Sequence, residues 1–253
     1  MAGVATFSGL SIDKAGTGYT LAATSGVLTP TTSAAFNITA GAAAKLAFVQ
    51  QPSNTASGAA ITPAMTVQIQ DAAGNLVNSA ASVTLAIGTN PSAGTLSGTA
   101  TVNAVAGVAT FSGLSIDKAG TGYTLAATSG ALTPATSAAF NITAGAAAKL
   151  AFAQQPSNTA SGAAITPAMT VQIQDAAGNL VNSAASVTLA IGANPSAGTL
   201  AGTATVNAVA GVATFSGLSI DKAGTGYTLA ATSGALTPAT SAEIGRASCR
   251  ERV

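Results

Sequence analysis

The sequence predicts an all-β protein built from tandem β-sandwiches, and three observations predict it. First, the chain repeats itself. At an offset of 104 residues Ala2–Ala138 falls on Ala106–Ala242, and of the 137 aligned pairs only five differ: Val27/Ala131, Thr31/Ala135, Val49/Ala153, Thr89/Ala193 and Ser97/Ala201. A period this long is a whole domain, not a solenoid turn or a propeller blade. Second, apolar and polar residues alternate over short runs, the period of a half-buried strand. Third, clusters of Gly, Pro, Asn, Asp and Ser punctuate those runs, and no stretch sustains a helical period.

The repeat divides the chain into the C-terminal part of a truncated module (1–41), a complete module (42–145), a module lacking its last strand (146–242) and a tail (243–253). In the complete module, Ala42–Ala44 follows Gly41 and reads as a linker. Leu46 and Phe48 alternate with Ala47 and Val49 until Pro52 ends the run. Met65, Val67 and Ile69 face one way and Thr66, Gln68 and Gln70 the other. Asp71-Ala-Ala-Gly74-Asn75 is a turn, because Asp accepts local backbone hydrogen bonds and Gly takes positive φ. Val83, Leu85 and Ile87 form the next strand, and Asn90–Gly94 a loop. Thr101–Asn103 and Val108–Phe111 read as a hairpin about Ala106-Gly107. Tyr123, Leu125 and Ala127 make one strand, and Phe140 and Ile142 the last. About seven strands in roughly 100 residues suit a Greek-key, immunoglobulin-like sandwich. Tyr123 stands where such folds place a corner tyrosine, whose hydroxyl ties a loop to the backbone.

The two ends read differently from the rest. Met1 occupies the place of Val105 and Val209, as an internal valine codon read as a start would. Residues 243–253 break the repeat and hold all three Arg, both Glu and the single Cys, Cys249. That string resembles a translated sequencing-library adapter; the alternative is a basic tail or a reactive thiol, with Cys249 the candidate. Without it the chain has five Lys, five Asp and no His, Trp, Cys, Arg or Glu. Zero net charge argues against nucleic acid as a partner, which demands a cationic footprint. No apolar run is long enough to span a bilayer. The exterior is left to Thr, Ser, Asn and Gln, an uncharged surface unusual for a crowded cytoplasm.

One combination of motifs carries a family resemblance. Val67-Gln-Ile-Gln-Asp71-Ala-Ala-Gly74-Asn75-Leu-Val77, followed by Val83-Thr84-Leu85, Gly94-Thr-Leu-Ser-Gly98, Gly107-Val-Ala-Thr-Phe111-Ser-Gly-Leu114 and Gly122-Tyr123-Thr-Leu125, resembles bacterial immunoglobulin-like domains of the invasin/intimin type. It is similar, more loosely, to filamin-type repeats. The resemblance implies an exported, extracellular or cell-surface stalk that holds a terminal binding domain away from the membrane.

Several motifs invite chemistry, and each has a plainer reading. Ser115-Ile-Asp-Lys118, with copies at Ser11–Lys14 and Ser219–Lys222, matches the acylating S-x-x-K of penicillin-binding enzymes. That motif works at a helix start with partner motifs, whereas here it lies in a loop between strands. Catalysis by Ser-His-Asp or Cys-His is excluded because the repeats contain neither His nor Cys. Asp71 and Asp117 are the only carboxylates of a module. At separate turns they are poor material for an acid/base pair or for Ca²⁺, which takes six to eight oxygens, and they read as turn acceptors. Asn37-Ile-Thr39 and Asn141-Ile-Thr143 match the glycosylation sequon and read as strand residues. A Lys45–Asn141 isopeptide bond would need Asp71 or Asp117 buried beside the pair.

No catalytic, cofactor or metal site is therefore expected. The expectation is a non-enzymatic stalk or spacer, extracellular or at the cell surface. Its partners are neighbouring repeats of the same chain, and a host or cell-surface protein or glycan engaged through domains outside this sequence. The alternatives are a spacer of a large secreted enzyme and a carbohydrate- or protein-binding module. Near-identical neighbours also invite strand exchange, so Ala35–Thr39 is a candidate to supply the strand that 146–242 lacks.

Overall fold

The computed structural model describes residues 3–245, which form strands, turns and loops without any helix. Each full repeat is an immunoglobulin-like β-sandwich. In the middle repeat one sheet sets Met65–Gln70 between Lys45–Gln50 and Val108–Phe111. The facing sheet runs Thr101–Asn103, Ser82–Ile87, Leu125–Thr128, Ala135–Thr136. A smaller sheet sets Phe140–Thr143 between Gly120–Tyr123 and Thr55–Ala56. The strand pairs of the two main sheets are antiparallel, and the last repeat reproduces both sheets in the same register from Lys149–Gln154 to Ala239–Thr240.

Alternation does what it predicts. Met65, Val67 and Ile69 are fully buried, while Thr66, Gln68 and Gln70 are half-exposed. Burying one face of each strand supplies most of the favourable free energy of such a fold. Phe111, Leu114, Ile116, Tyr123 and Leu125 complete this core, and Phe215, Leu218, Tyr227 and Leu229 its counterpart in the last repeat. Phe48 is only half-buried, at the margin of its sheet.

Two expected elements are arranged differently. The Ala106-Gly107 turn exists, with Val105 and Val108 bridged across it. Its arms nevertheless part at once, Thr101–Asn103 joining Ser82–Ile87 and Val108–Phe111 joining Met65–Gln70. The turn is thus a corner between the two sheets, not the tip of a hairpin. The expected strand through Tyr123 and Ala127 is likewise two strands, Gly120–Tyr123 and Leu125–Thr128, in different sheets. In both places a run of alternating residues keeps its burial while its backbone partners change.

In the first, partial repeat Gly16–Tyr19 pairs with Phe36–Ile38 and Ala22–Ala23 with Thr31–Thr32. Phe7, the counterpart of buried Phe111, is 72% exposed, because residues 1–41 hold no copy of the Met65–Gln70 strand that covers Phe111. Within this chain Ala35–Thr39 pairs with Gly16–Tyr19 and not with the last repeat. A short connection closes at lower entropic cost than a long one. At the vacated position Ile244 bridges Tyr227 and is buried, standing where Phe140 stands in the middle repeat. Cys249 and the rest of 246–253 lie outside the described residues.

The chain forms two compact units, and their borders do not follow the repeats. One holds residues up to Thr55, Ala60–Ile116 and Gly120–Asn141; the other holds Ala56–Ala59, Asp117–Ala119 and everything from Ile142 on. Asp13–Ala15 thus falls in one unit with the Asp71–Asn75 turn, and Asp117–Ala119 in the other with the Asp175–Asn179 turn.

Candidate functional site

The strand Met169–Gln174 runs out into the Asp175–Asn179 turn, and the turn closes on itself. Gly178 N donates to Asp175 O at 3.1 Å and Asp175 N to Asn179 O at 2.9 Å. Gly178 sits at φ +85°, a conformation that side chains disfavour. The Asp175 carboxylate faces inward and is 2% exposed. It accepts from Asn179 N at 2.8 Å, Asn179 Nδ2 at 2.8 Å and Gly145 N at 2.9 Å. Burial pushes its pKa up, but the Asn179 side chain, the Gly145 and Asn179 amides and the Ser57 hydroxyl together outweigh it, leaving the carboxyl at about 2.

Held this way, the Asn179 amide reads a loop. Its Oδ1 accepts from Ala119 N at 3.0 Å, and its Nδ2 reaches Asp117 O at 2.8 Å and Ser57 Oγ at 2.9 Å. Ser57 Oγ itself donates to Asp117 O at 2.8 Å, and Lys118 Nζ donates to Ala177 O at 2.7 Å. One amide thus answers both the donor and the acceptor of a passing backbone, and the lysine returns a charge-assisted bond.

The other unit carries the same arrangement. Asn75 Oδ1 accepts from Ala15 N at 3.0 Å, Asn75 Nδ2 donates to Asp13 O at 2.7 Å, and Lys14 Nζ donates to Ala73 O at 3.1 Å. Asp71 accepts from Asn75 N at 2.8 Å, Asn75 Nδ2 at 2.9 Å and Gly41 N at 2.8 Å. The Asn75 side chain is the main influence holding its carboxyl down at about 2, joined by the Asn75 and Gly41 amides.

The residues singled out for chemistry take other roles. Ser115 pairs with Ser97 in a two-residue strand, and Lys118 is committed to Ala177 O. Asp71 acts inside its turn through the carboxylate, whereas Asp117 meets Asn179 through its carbonyl. Among the described residues no group of three or more His, Cys, Asp or Glu side chains converges. Asn141 Oδ1 accepts from Gly122 N at 3.0 Å, and Lys45 Nζ donates to Ala72 O at 3.2 Å, so the isopeptide pair is not brought together. Sequence reasoning missed Ser57 and the linker Gly145. The signal that points to the clasp is the shared 104-residue spacing of turn, loop and linker glycine.

No family model and no characterised protein sequence matches the chain. Among solved structures it is similar to FdeC, an adhesin of Escherichia coli, at 18% identity over 82% of this chain and 67% of that one, with a TM-score of 0.35. It is similar to the Yersinia pseudotuberculosis adhesin InvE at 17% identity, over 79% of this chain and 57% of that one, with a TM-score of 0.31. A β-glycosidase from Bacteroides vulgatus aligns at 11% identity over 81% of this chain, with a TM-score of 0.36, and the chain spans 25% of that enzyme. The fold assignment rests on the strand pairing described above.

Proposed function

We propose that this chain is a non-enzymatic spacer, a stretch of stalk from a bacterial cell-surface or secreted adhesin-like protein. Repetition is the observation that carries the reading. Whole domains recur at an offset of 104 residues with five differences, and the differences touch none of the residues of the turn–loop clasp. Reach and valency grow with copy number, whereas catalysis gains little from an adjacent identical copy. The polar groups that converge in each repeat bond to one another and to backbone, which suits a joint better than a reaction centre. In this reading the partners are neighbouring repeats, with a host or surface protein or glycan engaged by other domains, and nucleic acid plays no part.

Antibodies raised against the chain test this on intact cells of the source organism. Labelling of unbroken cells is expected. Labelling that appears only after lysis, with none in the medium, would remove the export on which the proposal depends.

A further inference from the structure

The chain holds three copies of the Ser-Ile-Asp-Lys loop but only two Asp-x-x-Gly-Asn turns. Two loops are clasped, at Asp13–Ala15 and Asp117–Ala119. The third, Asp221–Ala223, has no turn upon it. The Asp221 carbonyl, the Lys222 ammonium, the Ala223 amide and the Ser161 hydroxyl have no hydrogen-bond partner among the described residues. All four residues are exposed, whereas Asp117, Lys118 and Ala119 are half-buried beneath Asn179.

A second observation comes from beneath the loop. Tyr227 Oη is buried with no hydrogen-bond partner among the described residues, and the tyrosine is only 2% exposed. Its counterpart Tyr19 donates to Lys14 O at 3.1 Å, within a clasped loop, and Tyr123 is also engaged. Beside Tyr227 lies a small cavity bordered by Ser161, Ile220, Lys222, Ala223 and Gly224. A buried hydroxyl left unsatisfied costs stability, so the site gains from anything that settles the loop. The loop is nonetheless preformed, since Thr199 N donates to Asp221 Oδ1 at 2.6 Å and Asp221 N to Thr199 O at 3.3 Å.

We infer that Asp221–Ala223, with Ser161 and Lys222, is a binding site for the Asp-x-x-Gly-Asn turn of a further copy of this repeat. The turn's asparagine amide would accept from Ala223 N and share its outward N–H between Asp221 O and Ser161 Oγ, as Asn179 does at Asp117 O and Ser57 Oγ, and Lys222 would donate to a carbonyl of the turn. The occupant follows from the other two loops, where the same turn sequence makes the amide, carbonyl and lysine bonds, with the serine contact added at Asp117–Ala119. No turn within the chain is free to fill the site, so it has to come from outside these residues. The inference rests on the proposed partnership of neighbouring repeats and gives it one loop and one turn, while export and surface location do not bear on it.

The test lengthens the chain by one repeat, replacing residues 243–253 with a second Ala139–Ala242, which continues the register. Ala235→Ser at an exposed position gives the third copy's peptides their own mass in hydrogen-exchange mass spectrometry. In the lengthened chain, exchange across Asp221–Gly224 should slow about tenfold or more relative to the original chain. Changing the added turn's asparagine to alanine should restore the fast rate. If exchange does not slow, or if slowing survives that change and so reflects only the restored last strand, the inference is overturned. The original chain supplies an independent arm. There Asn179→Ala should speed exchange of Asp117–Gly120 while the Leu229–Thr232 strand stays protected, and an unchanged rate in that loop would overturn the inference equally.

Discussion

Asp175 and Asn179 grip each other twice: one carboxylate oxygen accepts from the Asn179 backbone amide and the other from its side-chain amide, each at 2.8 Å. The first bond shapes the turn, and the second aims the asparagine at the Asp117–Ala119 loop. Asp175→Ala removes both and strands the Gly145 amide as well. A loss of about 1.5–3 kcal/mol is expected, the usual worth of a buried hydrogen bond to a charged group. Urea unfolding of the variant against the parent measures it. A midpoint shift near zero would mean that water replaces the carboxylate without cost.

The same carboxylates set an acid limit. Asp71 and Asp175 titrate at about 2 in the folded chain, against ~3.9 for an unfolded Asp. Between those values the unfolded chain binds more protons, so stability rises with pH there and levels off above ~4. Stability should therefore be flat from pH 7 down to ~5 and fall between ~4 and 2. Denaturant midpoints across that range read the slope, which the double substitution Asp71→Asn, Asp175→Asn should flatten.

The Ala106-Gly107 corner is strained in a correctable way. Ala106 has φ +49° and Gly107 +85°, the left-handed pair that two-residue β-turns fill best with Asn-Gly. Ala106→Asn should stabilise the chain by about 0.5–1 kcal/mol, a typical gain from matching a residue to its backbone. Gly107→Ala should do the reverse, because a β-carbon there would lie 2.1 Å from Val77 O. Melting temperatures of the two variants should move in opposite directions.

Phe215 is fully buried in the last repeat and packs in its core with Met169 and Leu218. Phe215→Ala is expected to cost about 3–5 kcal/mol through lost transfer energy and the cavity left behind. Phe7→Ala, at the exposed counterpart, should change stability by less than about 0.5 kcal/mol. Equal effects at the two positions would contradict the burial difference.

Lys45 and Asn141 are each committed elsewhere, to Ala72 O and to the Gly122 amide. The intact mass of the purified chain should equal the sequence mass. A deficit of one ammonia per repeat would reveal an isopeptide bond and a different arrangement of those strands.

The amino-acid pattern by itself determined the strand faces, the Asp71–Asn75 turn and the sandwich class. Each follows from neighbours in sequence: alternation puts Met65, Val67 and Ile69 on one face, and an Asp four residues before an Asn can close a turn locally. Tertiary structure alone decided where backbones change partner. Thr101–Asn103 and Val108–Phe111 keep their burial pattern yet lie in opposite sheets, because alternation records which face is dry and not which strand lies alongside. It also decided the clasp. Asp175 and Asn179 are neighbours in sequence, but Ser57 and Asp117 lie 122 and 62 residues from Asn179. Hydrogen bonds at that range leave no local periodicity, and only folding brings their partners within reach.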